Sequence, residues 1–338
     1  MTKKQRILYV GDLLVGGTCL ERLHVLQNYG FEIIPMNMRI LDVNRLQRSL
    51  EHRLLDGPVT RKLNRDILKK AQNIYPDIVW IDKGRNIFGA TIEKLKALGI
   101  LCIHYTADPA FTVHTSRHFN KAVQFYDLCI TNKRYEIAMY KKLGVREVLF
   151  NYQGANGTRY NNISPVTSDE RQGSIFVGHC EKDYIETLTG VGDIDPYLQI
   201  HGYGWTRGSR NIVELEGKIR SEGVWGDEYP KALASAKIGF GLLCKAYPDQ
   251  FTTRTFEIPA SGTMLLAERT QEHMDIFRED VEAVFFSGKR ELRDKLRKYL
   301  ENDELRYKIA SAGQKKVMTE FTWDKVMKPT IDLIESLI

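Results

Sequence analysis

Short apolar runs alternate with longer amphipathic stretches along this chain. In its first half, residues 7–10 are apolar and residues 31–36 are apolar except for Glu32, and a helix is expected to open at Gly16-Gly17-Thr18 between them. Two apolar runs separated by a helix predict a βαβ unit, in which the strands pair in parallel. Further strands are predicted at residues 77–81, 100–105, 128–131 and 147–151. Regular alternation of this kind predicts a doubly wound α/β domain.

A second alternating series follows a polar segment, residues 161–173, which lacks periodicity and is the best candidate for a linker. Within the first series, residues 40–73 have the pattern of a basic helical stretch that breaks at Gly57-Pro58. In the second series, strands or extended links are predicted at residues 174–177, 198–201, 223–225, 238–243, 263–266 and 283–286. Helices are predicted at residues 182–188, 228–236, 289–300, 304–318 and 322–338. The prediction is therefore two Rossmann-like domains, residues 1–165 and 174–320, and a final helix over residues 321–338.

The composition agrees with two domains. The chain has 338 residues, 43% of them hydrophobic, which is enough for two separate cores. The apolar run at residues 7–10 is too short for the core of a signal peptide, and no run approaches the roughly 18 apolar residues of a membrane span. The five cysteines are widely spread and lack C-x-x-C spacing, so reduced core thiols are expected. The protein is expected to be cytoplasmic.

Charge is divided unevenly between the two halves. Residues 1–165 carry a net charge of +11, whereas the remainder carries −5. This asymmetry indicates different partners for the two halves, although a solvated positive face explains the basic half equally well. The basic residues are spread over the helices of an α/β domain without a helix-turn-helix or a stacking platform, so nucleic acid is not an expected partner.

The segment from Asp249 to Glu268 contains the strongest candidate site. Two carboxylates, Asp249 and Glu257, flank Arg254 where a polar loop passes into a helix, and Gly262 precedes an apolar strand. A helix N-terminus and a guanidinium both favour phosphate oxygens, whereas carboxylates suit sugar hydroxyls. This combination is typical of a nucleotide-sugar pocket.

The segment resembles the C-terminal domain of two-domain (GT-B) glycosyltransferases of the retaining, family-4-like kind, and is most similar to the spore-maturation (CgeB-type) group. The likeness extends over about 150 residues and rests on the acid, arginine and acid pattern together with Phe176-Val-Gly178, Gly223-Val-Trp225 and Glu320-Phe-Thr-Trp323. It implies two domains facing a cleft, with the final helix crossing back onto the first domain. It also implies a donor half at the C-terminus and an acceptor half at the N-terminus.

By this resemblance Glu257 is expected to bind the ribose, Asp249 the transferred sugar, and Arg254 the diphosphate. In the family an Arg and a Lys on the loop after Gly178 meet the diphosphate, but here His179 stands at the Arg position and Lys182 follows only three residues later. Lys245 is therefore a candidate for the second positive charge, with a solvated lysine as the alternative. The remaining residues predicted to bind the donor are Gly178, Gly223, Val224, Thr253, Thr255 and Phe256.

On the acceptor side, Asp108 is the preferred catalytic group because it follows a buried strand and precedes a proline, which favours an extended loop. His104 and His114 are the neighbouring candidates, and Gly16 and Gly17 are expected to approach a substrate at the start of the first helix. His114 and His118 have helical spacing but lack the glutamate of a zinc-protease motif, so no metal site is expected.

The predicted activity is transfer of a sugar from a nucleoside diphosphate sugar to an acceptor, of the hexosyltransferase type, with retention and without a metal. No cofactor is expected, since the nucleotide sugar is a co-substrate, and a UDP-sugar is favoured. The acceptor is expected to be a glycan or another hydroxyl compound, and an anionic one would suit the basic half, with at most peripheral membrane contact. Two alternatives remain open at this point: a non-catalytic sugar-nucleotide or glycan-binding protein of a spore or envelope layer, and a nucleotide-sugar epimerase.

Overall fold

The fold is taken from a computed structural model that describes residues 4–38, 55–163 and 166–338. The chain divides into two compact units, residues 1–152 with 326–338, and residues 153–325. Among the described helices, none is both long and apolar enough to cross a membrane.

The first unit contains a parallel sheet with six described strands in the order β2-β1-β3-β4-β5-β6. Its strands are β1 (Arg6–Gly11), β2 (Glu32–Asn37), β3 (Ile78–Asp82), β4 (Leu101–Thr106), β5 (Leu128–Thr131) and β6 (Glu147–Phe150). The central strands β3 and β5 are buried along their whole length, which is why they read as continuous apolar runs. The strand order reverses between β1 and β3, so the loops that follow these two strands meet at one edge of the sheet.

Helices connect these strands. Those of the first series are α1 (Thr18–Asn28), α2 (Pro58–Ile74), α3 (Gly89–Ala97), α4 (Arg117–Ala122) and α5 (Ile137–Lys142). Helix α2 begins at Pro58, where the missing N–H costs nothing, and buries a single stripe of residues spaced by three or four. That stripe consists of Thr60, Asn64, Ile67 and Ala71.

A buried ion pair lies at the carboxyl edge of this sheet. Arg22 of α1 donates from Nη2 to Asp82 Oδ1 at 2.5 Å, and both side chains are at most 2% exposed. The Tyr9 hydroxyl also donates to Asp82, and the Arg22 guanidinium stacks 4.0 Å from the centroid of the Tyr105 ring. Gly11 allows this packing, because a Cβ there would lie 2.4 Å from Cys19 Sγ. These contacts hold α1 against the sheet.

The second unit contains another parallel sheet, with described strands in the order β12-β11-β10-β7-β8-β9. They are β7 (Ser174–Val177), β8 (Gln199–His201), β9 (Ile219–Ser221), β10 (Ile238–Gly241), β11 (Met264–Glu268) and β12 (Val284–Phe286). This is the Rossmann strand order, and the order in which successive strands are added to the sheet reverses between β7 and β10.

The helices of the second series follow the same alternation. They are α6 (Gly157–Asn161), α7 (Lys182–Thr189), α8 (Trp205–Gly208), α9 (Glu228–Ala234), α10 (Arg254–Ala260), α11 (Gln271–Ile276), α12 (Lys289–Glu301), α13 (Asp303–Glu320) and α14 (Trp323–Leu337). Backbone bonds join Ala155 N–H to Phe321 O and Trp323 N–H to Ala155 O, both at 2.9 Å. Within the second unit, these two bonds therefore hold Ala155 to the segment between α13 and α14.

Two parallel, doubly wound sheets confirm the predicted α/β fold class. Residues 223–225, predicted as a strand or an extended link, form a loop, and the strand of that region is β9. Gly223 has φ 152° and Gly226 has φ 59°, so the backbone turns there instead of continuing a strand. Part of the predicted basic helix, residues 40–54, and residues 164–165 of the predicted linker lie outside the described residues.

Candidate functional site

The loops after β7 and β10 meet at the point where the strand order of the second unit reverses. In open parallel α/β sheets, ligands bind at the carboxyl ends of the strands beside such a point. The loop after β7 begins at Gly178 and leads into α7, and the loop after β10 leads into α10. The fold therefore brings two of the predicted donor segments to one edge of the sheet.

Arg254, the first residue of α10, lies against Gly178. A Cβ built on Gly178 would be 3.5 Å from Arg254 Nη1, and the Arg254 Cζ is 5.6 Å from the centroid of the Phe176 ring. Within the described part of the chain, the buried Nε of Arg254 has no hydrogen-bond partner. A guanidinium held at the end of β7 can bind an anion there through its planar set of donors.

The turn that precedes α10 is tied down by its own hydrogen bonds. The N–H groups of Thr255 and Phe256 donate to the carbonyls of Thr252 and Thr253 at 3.0 Å, and Thr252 N–H donates to Thr255 Oγ1 at 3.1 Å. These amides are engaged within the turn. At this turn, it is consequently the guanidinium of Arg254, rather than these three amides, that can offer positive charge to a ligand.

Thr255 is also bonded to a buried histidine. His273 Nδ1 donates to Glu268 O at 2.7 Å, so its Nε2 accepts from the Thr255 hydroxyl at 2.9 Å. Burial lowers the pKa of His273 to about 4, which keeps the ring neutral at neutral pH. These two hydrogen bonds of His273 join the end of β11 to the first turn of α10 and hold that turn in place.

Glu257 lies one helical turn after Arg254, so the two side chains emerge from the same face of α10. The hydroxyl of Tyr229, in α9, donates to Glu257 Oε2 at 2.7 Å. Burial, and next the charge of Glu257, raise the pKa of Tyr229 well above its ordinary value, so the hydroxyl remains a donor. The carboxylate that was predicted to bind ribose is therefore held by a neighbouring helix.

Two of the other side chains that were predicted to bind the donor diphosphate contact carboxylates. The exposed His179 ring bonds to Glu181 Oε1, and Lys245 Nζ pairs with Glu268 Oε2. Lys182 is exposed at the start of α7, and Asp249 is half-buried in the loop that precedes α10. The roles predicted for His179, Lys182, Lys245 and Asp249 stay predictions.

The remaining predicted donor residues surround the same loops. Phe256 is fully buried against Phe251 and Thr255 is fully buried against His273, so both side chains are engaged in packing. Thr253 Oγ1 bonds to Gln153. Gly223 lies beneath the Trp225 ring, which would be 2.4 Å from a Cβ on that glycine, and Val224 is half-buried in the same loop.

In the first unit, three side chains meet at the carboxyl edge of the sheet. Asp108 Oδ2 accepts from His114 Nε2 and from Lys83 Nζ, both at 2.9 Å. Burial alone would raise the pKa of Asp108, but the hydrogen bond from His114 and the ammonium of Lys83 outweigh it and hold the pKa well below its ordinary value. Glu136 accepts from the N–H groups of Ala110 and Phe111, each at 3.0 Å, and so braces the loop that carries Asp108.

The other predicted acceptor residues are more dispersed. His104 is fully buried, its Nε2 bonds to Lys83 O at 3.1 Å, and burial lowers its pKa to about 4. Its predicted acceptor role stays a prediction, and its ring lies in the core. Gly16 has φ 83°, and Gly17 caps the start of α1 in the loop after β1. Within the described residues, no cluster of three or more His, Cys, Asp or Glu side chains is arranged to hold a metal ion.

Comparison with known families gives a match to the second half of the chain. Residues 183–332 match the family model described as "Glycosyl transferase-like". This range contains Asp249, Arg254, Glu257 and Tyr229 but not Gly178 and the residues that directly follow it. A comparison with curated proteins gives no match.

Solved structures with the same fold cover nearly the whole chain. Anabaena HepE in complex with UDP-glucose has a TM-score of 0.71 and 14% identity, over 98% of this chain and 99% of that one. Sucrose-phosphate synthase from Thermosynechococcus elongatus has a TM-score of 0.72 and 14% identity, over 99% of each chain. A Listeria monocytogenes protein named as a UDP-N-acetylglucosamine 2-epimerase has a TM-score of 0.61 and 10% identity, over 99% of this chain and 96% of that one. The chain thus has the two-domain α/β fold of GT-B glycosyltransferases.

Sequence reasoning missed four residues that shape these sites: Lys83, Glu136, Tyr229 and His273. Lys83 precedes Gly84 directly after a predicted strand, a position at which functional side chains gather, so this signal was available. The other three act through partners that are distant in sequence, and no local pattern marks them.

Proposed function

We propose that the protein is a glycosyltransferase of the hexosyltransferase type, which moves a sugar from a nucleoside diphosphate sugar, with UDP favoured, to a hydroxyl acceptor. The observation that carries this proposal is the guanidinium of Arg254 against Gly178, at the switch point between β7 and β10. The family match over residues 183–332 and the UDP-glucose complex of HepE, which has the same fold, support it.

The chemistry requires stabilisation of a departing diphosphate. The bond between the anomeric carbon and the diphosphate oxygen breaks, a new bond to the acceptor oxygen forms, and the departing phosphate oxygen takes up the hydroxyl proton. Arg254 stabilises the charge that develops on the leaving group, and one such preorganised donor contributes about 3 kcal/mol to lowering a barrier. Since this charge is met by a cation of the protein, we propose transfer without a metal. Because the departing phosphate oxygen takes the hydroxyl proton, the acceptor approaches on the face that the diphosphate leaves, and we propose that the transfer retains the anomeric configuration.

The other site residues take roles that follow from their chemistry. Glu257 binds the ribose, because a carboxylate accepts from two vicinal hydroxyls. Asp249 binds the transferred sugar near its 3-hydroxyl. In the first unit, Asp108 faces the acceptor and its charge is maintained by Lys83 and His114. His104, Gly16 and Gly17 belong to the same acceptor half.

The net charge of +11 on residues 1–165 supports an anionic acceptor, such as a phosphorylated glycan or a lipid-linked sugar at a membrane surface. Contact with the membrane would then be peripheral.

The test measures sugar transfer and nucleotide release with UDP-, GDP-, dTDP- and CDP-sugars, for wild type, Arg254→Ala and Glu257→Ala. Both variants are expected to lose turnover while they keep the wild-type circular dichroism spectrum and a cooperative melting transition. Arg278→Ala is the matched control, since Arg278 is exposed and pairs locally with Glu282 in the loop after α11. Unchanged transfer by both site variants would overturn the proposal.

Two further functions are separated by the same assay. Pairing of His179 with Glu181 and of Lys245 with Glu268 favours a sugar-nucleotide-binding protein without catalysis, because two candidate phosphate cations are already engaged. Such a protein would bind the nucleotide and release no diphosphate with any acceptor. The fold likeness to the protein named as an epimerase supports a third function, which would convert the donor when no acceptor is present.

A further inference from the structure

Tyr229 contacts the candidate ribose carboxylate from a different part of the chain. It lies in the first turn of α9, and its hydroxyl donates to Glu257 Oε2 at 2.7 Å across 28 residues of sequence. Helices α9 and α10 pack against each other, so the tyrosine approaches Glu257 from a fixed neighbouring surface. Arg254 is close enough for its charge to act on the Tyr229 hydroxyl.

A glutamate side chain has three rotatable bonds and samples many orientations unless something holds it. A tyrosine has two, and its ring moves as one rigid body. The hydroxyl proton given to Oε2 therefore restricts the orientations that are open to the Glu257 carboxylate. The burial of Tyr229 and the adjacent carboxylate raise the pKa of its hydroxyl and keep it protonated over the pH range in which enzymes work.

We propose that Tyr229 is a positioning residue, which orients the Glu257 carboxylate so that it recognises the two vicinal hydroxyls of ribose and discriminates against 2′-deoxyribose. This inference rests on the proposed function, since it assigns Glu257 to the ribose of the donor. A carboxylate held in one orientation accepts from both hydroxyls at once, whereas one held less firmly favours the pair of hydroxyls over a single one by less.

The experiment is calorimetric titration with UDP and GDP and with their 2′-deoxy counterparts. Wild type is expected to prefer one ribonucleotide over its 2′-deoxy form. Tyr229→Phe is expected to weaken binding of that ribonucleotide about tenfold, the effect of losing a hydrogen bond to a charged group, and to change binding of the 2′-deoxy form by less than about twofold. The ratio between the two affinities is the readout, and general damage to the pocket would not change it.

Two further variants sharpen the result. Tyr299→Phe is the matched control, because Tyr299 also donates to a carboxylate, Asp280 Oδ1 at 2.9 Å, but from α12. It should leave the ratio unchanged. In a Glu257→Ala background, Tyr229→Phe should have no further effect on the ratio.

The outcomes separate the two proposals. If Tyr229→Phe leaves the ratio of the two affinities unchanged, whether binding of both nucleotides weakens equally or not at all, the positioning role is overturned and the proposed function stays intact. Absence of binding of either ribonucleotide to wild type, together with inactivity toward all four nucleotide sugars, overturns the proposed function and this inference with it.

Discussion

The guanidinium of Arg254 and the backbone of Gly178 are close neighbours, with Nη1 3.5 Å from the position that a Cβ on the glycine would take. The same Cβ would lie only 2.9 Å from Phe176 Cζ. A residue other than glycine here therefore has to displace the Phe176 ring, whereas its Cβ would be in ordinary contact with the guanidinium. This makes position 178 a direct probe of the site that needs no change to a charged group.

Gly178→Ala is expected to weaken nucleotide binding about tenfold, because the added methyl displaces the Phe176 ring, against which the Arg254 guanidinium lies. Titration of UDP into the variant measures the change. Gly190→Ala is a suitable control, since Gly190 ends α7 with φ −62° and an added Cβ would come no closer than 3.3 Å to another atom. Equal UDP affinity of Gly178→Ala and wild type would show that the packing of Gly178, Phe176 and Arg254 does not matter for nucleotide binding.

Thr255→Val should destabilise the second unit by about 1–3 kcal/mol, because His273 Nε2 and the Thr252 N–H both lose their partner in a buried place. Urea unfolding followed by circular dichroism measures this. Thr187→Val removes a hydroxyl that bonds to Asp183 O within α7, so a much smaller loss is expected for it. An equal decrease in the free energy of unfolding for the two variants would show that the hydrogen bonds of Thr255 to His273 and Thr252 do not stabilise the turn at the start of α10.

Stability should fall as the pH is lowered from about 6.5 to about 4. Burial lowers the pKa values of His104 and His273 to about 4, so between these pH values the unfolded chain binds protons that the folded chain does not. Their stabilising contribution is complete above the unfolded pKa and is lost as the pH falls through this window. Within this window, each of the two histidines lowers the free energy of unfolding by about 1.4 kcal/mol for every unit by which the pH falls.

Free energies of unfolding measured at several pH values test this dependence. His273→Gln should remove one of the two contributions and make the slope smaller. A slope that is identical in wild type and in this variant would be evidence against a neutral, buried His273.

Glu136→Gln should loosen the loop that carries Asp108. The carboxylate accepts two amide N–H groups, and a carboxamide turns an N–H₂ donor toward one of them, at a cost of about 2 kcal/mol. Hydrogen exchange at the amides of Ala110 and Phe111 should accelerate, while Glu147→Gln, a change at an exposed glutamate, should leave both rates alone. Unchanged exchange in Glu136→Gln would mean that the loop is held by other contacts.

The elements of both sheets follow from local pattern. Residues 128–131 and 174–177 were predicted as strands and are β5 and β7, because buried central strands of parallel sheets are short continuous apolar runs. Residues 223–225, predicted as a strand or an extended link, form a loop after β9. Gly223-Val-Trp225 has the composition of an extended segment, but Gly223 adopts a conformation with positive φ and the paired strand ends at Ser221.

The candidate site was only partly predictable. Arg254 and Glu257 lie three apart on one helix, a spacing that is visible in the sequence. The hydrogen bonds of Tyr229 to Glu257 and of Thr255 to His273 join different elements, and the tyrosine and histidine look like ordinary helix residues until those elements pack.

The sequence by itself determined the alternation of strands and helices, the two doubly wound sheets and the acid, arginine and acid motif, because periodicity and loop chemistry are properties of neighbouring residues. Tertiary structure decided which groups meet: Arg254 with Gly178, Tyr229 with Glu257, and Lys83 with Asp108. Strand order and helix packing bring these distant positions together, and both arise from burial of whole apolar faces, which no single stretch of sequence encodes.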